Sequence, residues 1–251
     1  MRLHHAGASE LLAVKQLLTH GKSKDNANEI GRVLRLEVDT LRRLRHPNIV
    51  TYRGMHFSKR RKEYHILLEY VDGGSLVDLV KRCDAGIPLN RLVPIVAQIV
   101  GGVAYLHRQR VIHRDLKPAN ILISKKGKVK ITDFDISTQV CGMNTKERSC
   151  VGTPWYTAPE VINLKPYSFS ADIWSLGASV FHLATGSCPY ASSSAIAAMF
   201  KLVNEGAPPL PPGMDANLKE FLLCCFSMEP KARRTADQLV SHPLCQKSLA
   251  S

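Results

Sequence analysis

Positions 113 to 120 read His113-Arg-Asp-Leu-Lys-Pro-Ala-Asn120, which sets an acid, a base and an amide at fixed offsets on what must be a loop. Thirteen residues after Asn120, directly behind a strand-like run, stand Asp133, Phe134 and Asp135. Near the N-terminus Lys15 sits inside the apolar run Glu10-Leu-Leu-Ala-Val-Lys-Gln-Leu-Leu18. A lone lysine there reads as an edge residue that keeps its ammonium in water. Glu37 is harder to dismiss. It shares the helical stripe of Ile30, Val33, Leu34, Leu41 and Leu44, and a carboxylate on a buried face costs several kcal/mol unless a cation meets it. That helix must therefore aim Glu37 at a basic group elsewhere in the chain. Together these are groups that move a proton and balance the charge of an anion.

The elements that must position them follow from periodicity. Residues 10–18, 49–57 and 64–71 read as strands, the last two joined by the basic turn Ser58-Lys-Arg-Arg-Lys62. From Asp72-Gly-Gly-Ser75 onward the pattern is helical, with an amphipathic helix over 92–107. Two short runs, 121–123 and 129–131, read as strands about the turn Lys125-Lys-Gly127, and residues 135–158 as a polar loop. Residues 171–185 are apolar almost all round, the mark of a buried central helix. The chain divides into a strand-rich lobe over 1–71 and a helical lobe over 72–251, with a hinge near 69–74. Its 251 residues, 45% hydrophobic and 22% charged, can bury a core and exclude disordered, collagen-like and disulfide-scaffold chains. Thirty-four Lys and Arg against 21 Asp and Glu give a net +13, which favours anionic partners. Seven cysteines without a C-x-x-C pair read as reduced thiols, and the location expected is cytoplasmic. The apolar run 92–106 is broken by Pro94, Gln98 and Gly101-Gly102, so no membrane span is expected.

Further on come Gly152-Thr-Pro-Trp-Tyr-Thr-Ala-Pro-Glu160 and Asp172-Ile-Trp-Ser-Leu-Gly177. With His113–Asn120, Asp133-Phe-Asp135 and Leu12-Ala-Val-Lys15, they resemble in order and spacing the motifs of eukaryotic protein kinases, over residues 8 to 245. The resemblance implies an α+β bilobal kinase fold and transfer of the γ-phosphoryl group of ATP, with Mg²⁺, to a protein hydroxyl. It implies that Lys15 holds the α/β-phosphates and Glu37 pins Lys15, which agrees with the cation Glu37 requires. Asp115 would accept the substrate proton, Asn120 and Asp133 would hold Mg²⁺, and Lys117 would steady the γ-phosphate. Lys117 and Thr153 are of the Ser/Thr type. For the adenine site it implies Leu68 as gatekeeper, the Glu69 carbonyl and Val71 backbone against the base, Ala13 and Leu122 on its faces, and Ser75 near the ribose. Glu160 and Arg233 would pair, and Asp172 would hold the catalytic loop. The phrases His46-Pro-Asn-Ile-Val50 and Glu69-Tyr-Val-Asp-Gly-Gly-Ser-Leu76 look most like the STE group, nearest its mitogen-activated protein kinase kinase kinases. A downstream kinase as protein substrate, and an upstream kinase acting at Ser149 with Arg114 receiving the phosphate, are implied with them.

Two departures keep a second reading open. Only fourteen residues precede Lys15 and Gly7 is their one glycine, so the glycine-rich phosphate loop has no counterpart. Gly7 fits the turn before the lysine strand, and the chain is expected to begin within the preceding strand. Asp135 stands where the family has glycine, adding a negative charge beside Asp133. These favour either a sequence shortened at its start or a pseudokinase or scaffold that binds without turnover. Trp155-Tyr156 reverses the usual order. The basic runs 59–62 and 125–130 read chiefly as solvated surface. A nucleic-acid partner is not expected, since only net charge argues for one.

Overall fold

The structure is a computed structural model and describes residues 2–5, 8–18, 38–39, 41–58, 60–61, 63–133 and 154–246. Gly7, Glu37, Phe134, Asp135, Thr138, Thr145, Ser149 and Thr153 lie outside the described residues.

Strands β1 (Arg2–His5), β2 (Ala8–Leu18), β3 (Tyr52–Ser58) and β4 (Glu63–Glu69) form one sheet in the order β1-β2-β4-β3. β1 pairs antiparallel with β2, so a strand does precede the one that carries Lys15. β2 pairs antiparallel with β4 in a register that sets Ala13 opposite Leu68 and Lys15 opposite Ile66. A strand expected from 49 begins only at Tyr52. The backbone of 48–50 is used elsewhere: Ile131 N–H donates to the Asn48 carbonyl at 2.8 Å and Val50 N–H to the Ile131 carbonyl at 3.0 Å. That segment belongs to the seam between the lobes.

Beyond the sheet, α1 (Leu76–Val80) is followed by α2 (Leu89–Arg108), the hairpin β5 (Ile121–Ile123) and β6 (Val129–Ile131), and α3 (Pro159–Ile162). Then come α4 (Phe169–Thr185), α5 (Ala195–Asn204), α6 (Ala216–Cys225), α7 (Ala236–Val240) and α8 (Pro243–Gln246). α2 buries Leu92, Ile95, Val96, Ile99, Val100, Val103 and Leu106, the i, i+3, i+4 spacing of one helical face. Gly102 lies on that face because an added Cβ would come within 2.8 Å of Ile131 Cδ1. At 20 residues and a mean hydropathy of 1.4, α2 is long and apolar enough to cross a membrane, longer than the 92–106 run suggests. Half of that apolar window is buried inside the fold. α4 is buried on nearly every side, from Ala171 to Leu183, and packs against α2 and α6. It is the central helix expected from its composition, and the site below is fixed to it.

Candidate active site

The loop after α2 carries the acid, and almost every polar group on it is committed. Lys117 Nζ donates to Asp115 Oδ1 at 2.9 Å and reaches Oδ2 at 2.8 Å. Asn120 Nδ2 donates to Asp115 Oδ2 and to the Asp115 carbonyl, both at 2.8 Å. Two donors thus fix a half-exposed carboxylate while leaving it open to solvent on one side. His113 is fully buried and ties this loop to the next. Its Nδ1 accepts from Asp115 N–H at 3.2 Å, so Nε2 carries the proton and donates to the Thr132 carbonyl at 3.0 Å. Burial holds the His113 imidazole below its ordinary pKa, with Asp172 opposing, and keeps it in that neutral form.

Asp172, in the first turn of α4, anchors the loop from beneath. Its carboxylate accepts from His113 N–H at 2.8 Å, Arg114 N–H at 2.9 Å and His107 Nε2 at 2.9 Å. Both Arg114 (φ 71°) and Asp133 (φ 57°) adopt left-handed backbone, which an L-residue enters at a cost of about 1–2 kcal/mol. The strain is held where the loops carry the chemistry.

Lys15 on β2 reaches Asp133 Oδ1 at 3.3 Å, joining the sheet to the segment just after β6. Behind this pair Lys15, Leu41, Val50, Ile66, Leu68, Thr132 and Asp133 line a small cavity of about 10 Å³, room for about one water molecule. The hinge crosses beside it. Ile123 N–H donates to the Gly74 carbonyl at 2.9 Å, and Ser75 bridges to Leu122. Glycine is required at 73, since a Cβ there would fall 2.2 Å from the Ile123 carbonyl oxygen. At the far end Glu160 and Arg233 form a buried two-pronged pair, Nη1 to Oε1 at 2.6 Å and Nη2 to Oε2 at 2.8 Å. Arg233 also donates to the Ser227 and Ser170 carbonyls and lies 5.0 Å over the Trp174 ring, so its buried charge is satisfied throughout.

The sequence matches the family described as protein kinase domain over residues 1–245. The chain belongs to the protein kinase family. Cytokinesis protein sepH of Aspergillus niger is 42% identical over 234 residues, 93% of this chain and 17% of that protein. MAP3K epsilon protein kinase 1 of Arabidopsis thaliana is 38% identical over 240 residues, 95% of this chain and 17% of that protein. Mitogen-activated protein kinase kinase kinase 2 of Arabidopsis thaliana is 39% identical over 253 residues, 97% of this chain and 38% of that protein. The chain therefore spans about a sixth to two fifths of the length of these relatives, and its STE-like resemblance stands.

Within the kinase domain the structure ties Lys15 to Asp133 and both Lys117 and Asn120 to Asp115, with Asp172 beneath the loop and Glu160 and Arg233 at the far end. On the hinge side Ala13 stands opposite Leu68 and Ser75 bridges to Leu122, with Glu69 and Val71 on the stretch of chain between Leu68 and Ser75. The Ser75 hydroxyl, which the resemblance sends toward a ribose, is already engaged. It caps α1, accepting from Asp78 N–H and donating to Asp78 Oδ2 at 2.5 Å. One residue of the 125–130 run is not solvated surface. Lys130 is largely buried and pairs with Glu69 Oε2 at 2.9 Å, while Thr51 N–H donates to the same oxygen at 3.1 Å. Burial alone would raise the Glu69 carboxyl, but Lys130 and Thr51 outweigh it and hold it below its ordinary pKa. The clue was the period of two: Val129 and Ile131 face the core, so Lys130 must face the other side, toward the hinge strand.

Asn120 and Asp133 supply the hard oxygen donors that suit Mg²⁺ shared with phosphates. Both bonds from Asn120 go through its Nδ2, which turns its carbonyl Oδ1 away from Asp115 and leaves it to serve a cation. The residues fit the ion.

Proposed function

We propose that this domain is an ATP-dependent protein serine/threonine kinase acting in a MAP kinase-type cascade. The observation that carries the proposal is the Asp115 carboxylate, gripped by Lys117 and Asn120 on a loop that Asp172 bolts to the central helix. A carboxylate so held can take the proton of a serine or threonine hydroxyl as that oxygen bonds to the γ-phosphorus and the bond to the departing diphosphate breaks. Lys117 places its cation against the transferring group, and Lys15 offers its ammonium to the α/β-phosphates. Bound at Asn120 and Asp133, Mg²⁺ supplies neutralisation of the phosphate charge. The apolar wall of Leu68, Val71, Ala13 and Leu122 takes the adenine, with the hinge backbone at Glu69 and Val71 reading its edge.

Regulation at Ser149 by an upstream kinase belongs to the same proposal. Arg114 supports it: its Nε and Nη1 are buried and have no hydrogen-bond partner among the described residues, while its guanidinium lies 5.5 Å over Tyr167. Idle guanidinium donors are the natural receiver of a phosphate. The relatives named as MAP kinase kinase kinases point to a downstream kinase as substrate. A cytoplasmic location is inferred from cysteine usage, and Cys83, Cys188, Cys224, Cys225 and Cys245 are all free thiols.

The test is transfer of labelled phosphate from ATP and Mg²⁺ to a generic basic protein, beside Asp115→Asn. Loss of about 10²–10⁴-fold in the variant, with its melting temperature unchanged, is the expected outcome. Binding of ATP without transfer by the unsubstituted chain, repeated in a chain extended upstream, would overturn the proposal in favour of a scaffold.

A further inference from the structure

A second charged surface lies along α2, and none of its residues belongs to the site above. Two loops are fastened to that helix. Arg45 N–H donates to Tyr105 Oη at 2.7 Å, and His46 stacks on the Tyr105 ring at 4.8 Å between centroids. Seven residues earlier on the helix, Gln98 gathers the hairpin. It accepts from Val129 N–H at 2.9 Å and from Asn48 Nδ2 at 3.2 Å, and its Nε2 donates to the Gly127 carbonyl at 3.1 Å. Residues 98 and 105 are thus about 10 Å apart along the axis, and each holds a basic segment in place. Arg43 and Arg45 are exposed at one station, Lys126 and Lys128 at the other, and Arg108 extends the row by a turn.

Opposing charge meets the row at its ends, Asp237 at Arg108 and Asp72, which accepts from Lys125 N–H at 2.9 Å beside Lys126. Residues 41–58, 91–110 and 124–128 contain no Asp or Glu, and among the described residues Asp237 alone is paired to the row, at Arg108. His46, in the middle, registers the result: burial first, then the charges of Arg108 and Lys130, hold its imidazole below the ordinary value.

We propose that this row docks an acidic segment of a partner polypeptide. From residue 98 to 108 it runs about 15 Å, the length of four to five extended residues. A lipid surface normally requires exposed apolar side chains beside the cations, and none of the exposed large hydrophobics is in the row. Single-stranded nucleic acid requires free aromatic faces, and the Tyr105 ring is covered by His46.

The experiment is fluorescence anisotropy of a labelled twelve-residue peptide centred on five glutamates. Three proteins are compared: the unsubstituted chain, Arg45→Glu/Lys126→Glu/Lys128→Glu, and Arg60→Glu/Lys165→Glu/Lys219→Glu, which removes equal charge elsewhere. Salt-sensitive binding that weakens about tenfold or more in the first variant, and less than threefold in the second, supports the proposal. Retention of binding by Arg45→Lys/Lys126→Arg/Lys128→Arg, with all melting temperatures alike, supports it further. Equal weakening in both charge-reversed proteins reduces the row to a share of the general +13 field and overturns it. So does tighter binding of poly-uridylate or of phosphatidylserine vesicles that depends on the same three residues.

Discussion

The carboxylate of Asp172 is fully buried and receives three hydrogen bonds, two of them from consecutive backbone N–H groups at His113 and Arg114. Both N–H groups lie on a loop, outside any helix or strand that would pair them. A side chain from another element has to serve them, and an anion does so best. Asp172→Ala leaves two buried donors and His107 without an acceptor, each at roughly 1–3 kcal/mol. A loss of about 3–5 kcal/mol in urea denaturation is expected, together with a fall in turnover. Asp172→Asn keeps one acceptor oxygen and is expected to lose less than half as much. Equal loss in the two variants would mean that the charge and not the geometry holds the loop. Asp115 itself depends on this arrangement: its two side-chain donors, Lys117 and Asn120, lie on the same loop and can aim it only if the loop is fixed from outside.

The segment 154–160 shows the same logic between elements. It takes a short 3₁₀ turn into α3, tied at its end by the Glu160–Arg233 pair. Its middle is tied by a bond no motif announces: Tyr156 Oη donates to His182 Nδ1 on α4 at 2.6 Å, while Ser175 Oγ donates to the Tyr156 carbonyl at 2.8 Å. Burial pushes the Tyr156 phenol up and holds the His182 imidazole down, so the neutral donor and neutral acceptor persist together. The reversed Trp155-Tyr156 order therefore places a hydroxyl where it meets a histidine. Tyr156→Phe orphans His182 and is expected to cost about 1–2 kcal/mol and to raise the KM for protein substrate while leaving the KM for ATP unchanged. A proportional rise in both would show a merely structural bond. Such pairings mark the limit of what the sequence makes legible. Residues 113–120 could be read because their roles lie within eight consecutive positions, and α4 because burial on all sides writes itself into composition. Glu160 and Arg233, 73 apart, were found only through the family resemblance. Tyr156 with His182 was missed because nothing local distinguishes a partnered tyrosine from a solvated one, and Lys130 with Glu69 because the alternation of Val129, Lys130 and Ile131 gives the side Lys130 faces but not the partner it meets there. The late start of β3 has the same cause: Ile49 and Val50 look like strand, but their backbone partner is Ile131, far along the chain on β6.

At the scale of the whole molecule, charge and burial act on stability in the same direction as acid is added, and they can be separated. His46, His113, His182 and His242 are all held below the ordinary histidine pKa, with burial the largest cause in each. Each takes a proton more readily unfolded than folded. Their contribution is complete above the unfolded value near 6.5 and is lost as pH falls toward the lowered folded values. The +13 chain also gains charge over the same range, since its ten histidines add to an excess already present, and self-repulsion favours the expanded state. Salt distinguishes the two. At about 1 M the Debye length shrinks to about 3 Å and surface repulsion is screened, whereas a buried imidazole pays its desolvation regardless. The urea midpoint is expected to be flat from pH 8 to 7 and to fall from 6.5 to 5, with most of that fall surviving in 1 M NaCl. His182→Asn, which keeps an acceptor for Tyr156 but does not titrate, is expected to lessen the remaining slope, which His46, His113 and His242 still carry. A fall abolished by salt and indifferent to that substitution would assign the acid sensitivity of this kinase domain to its net charge alone.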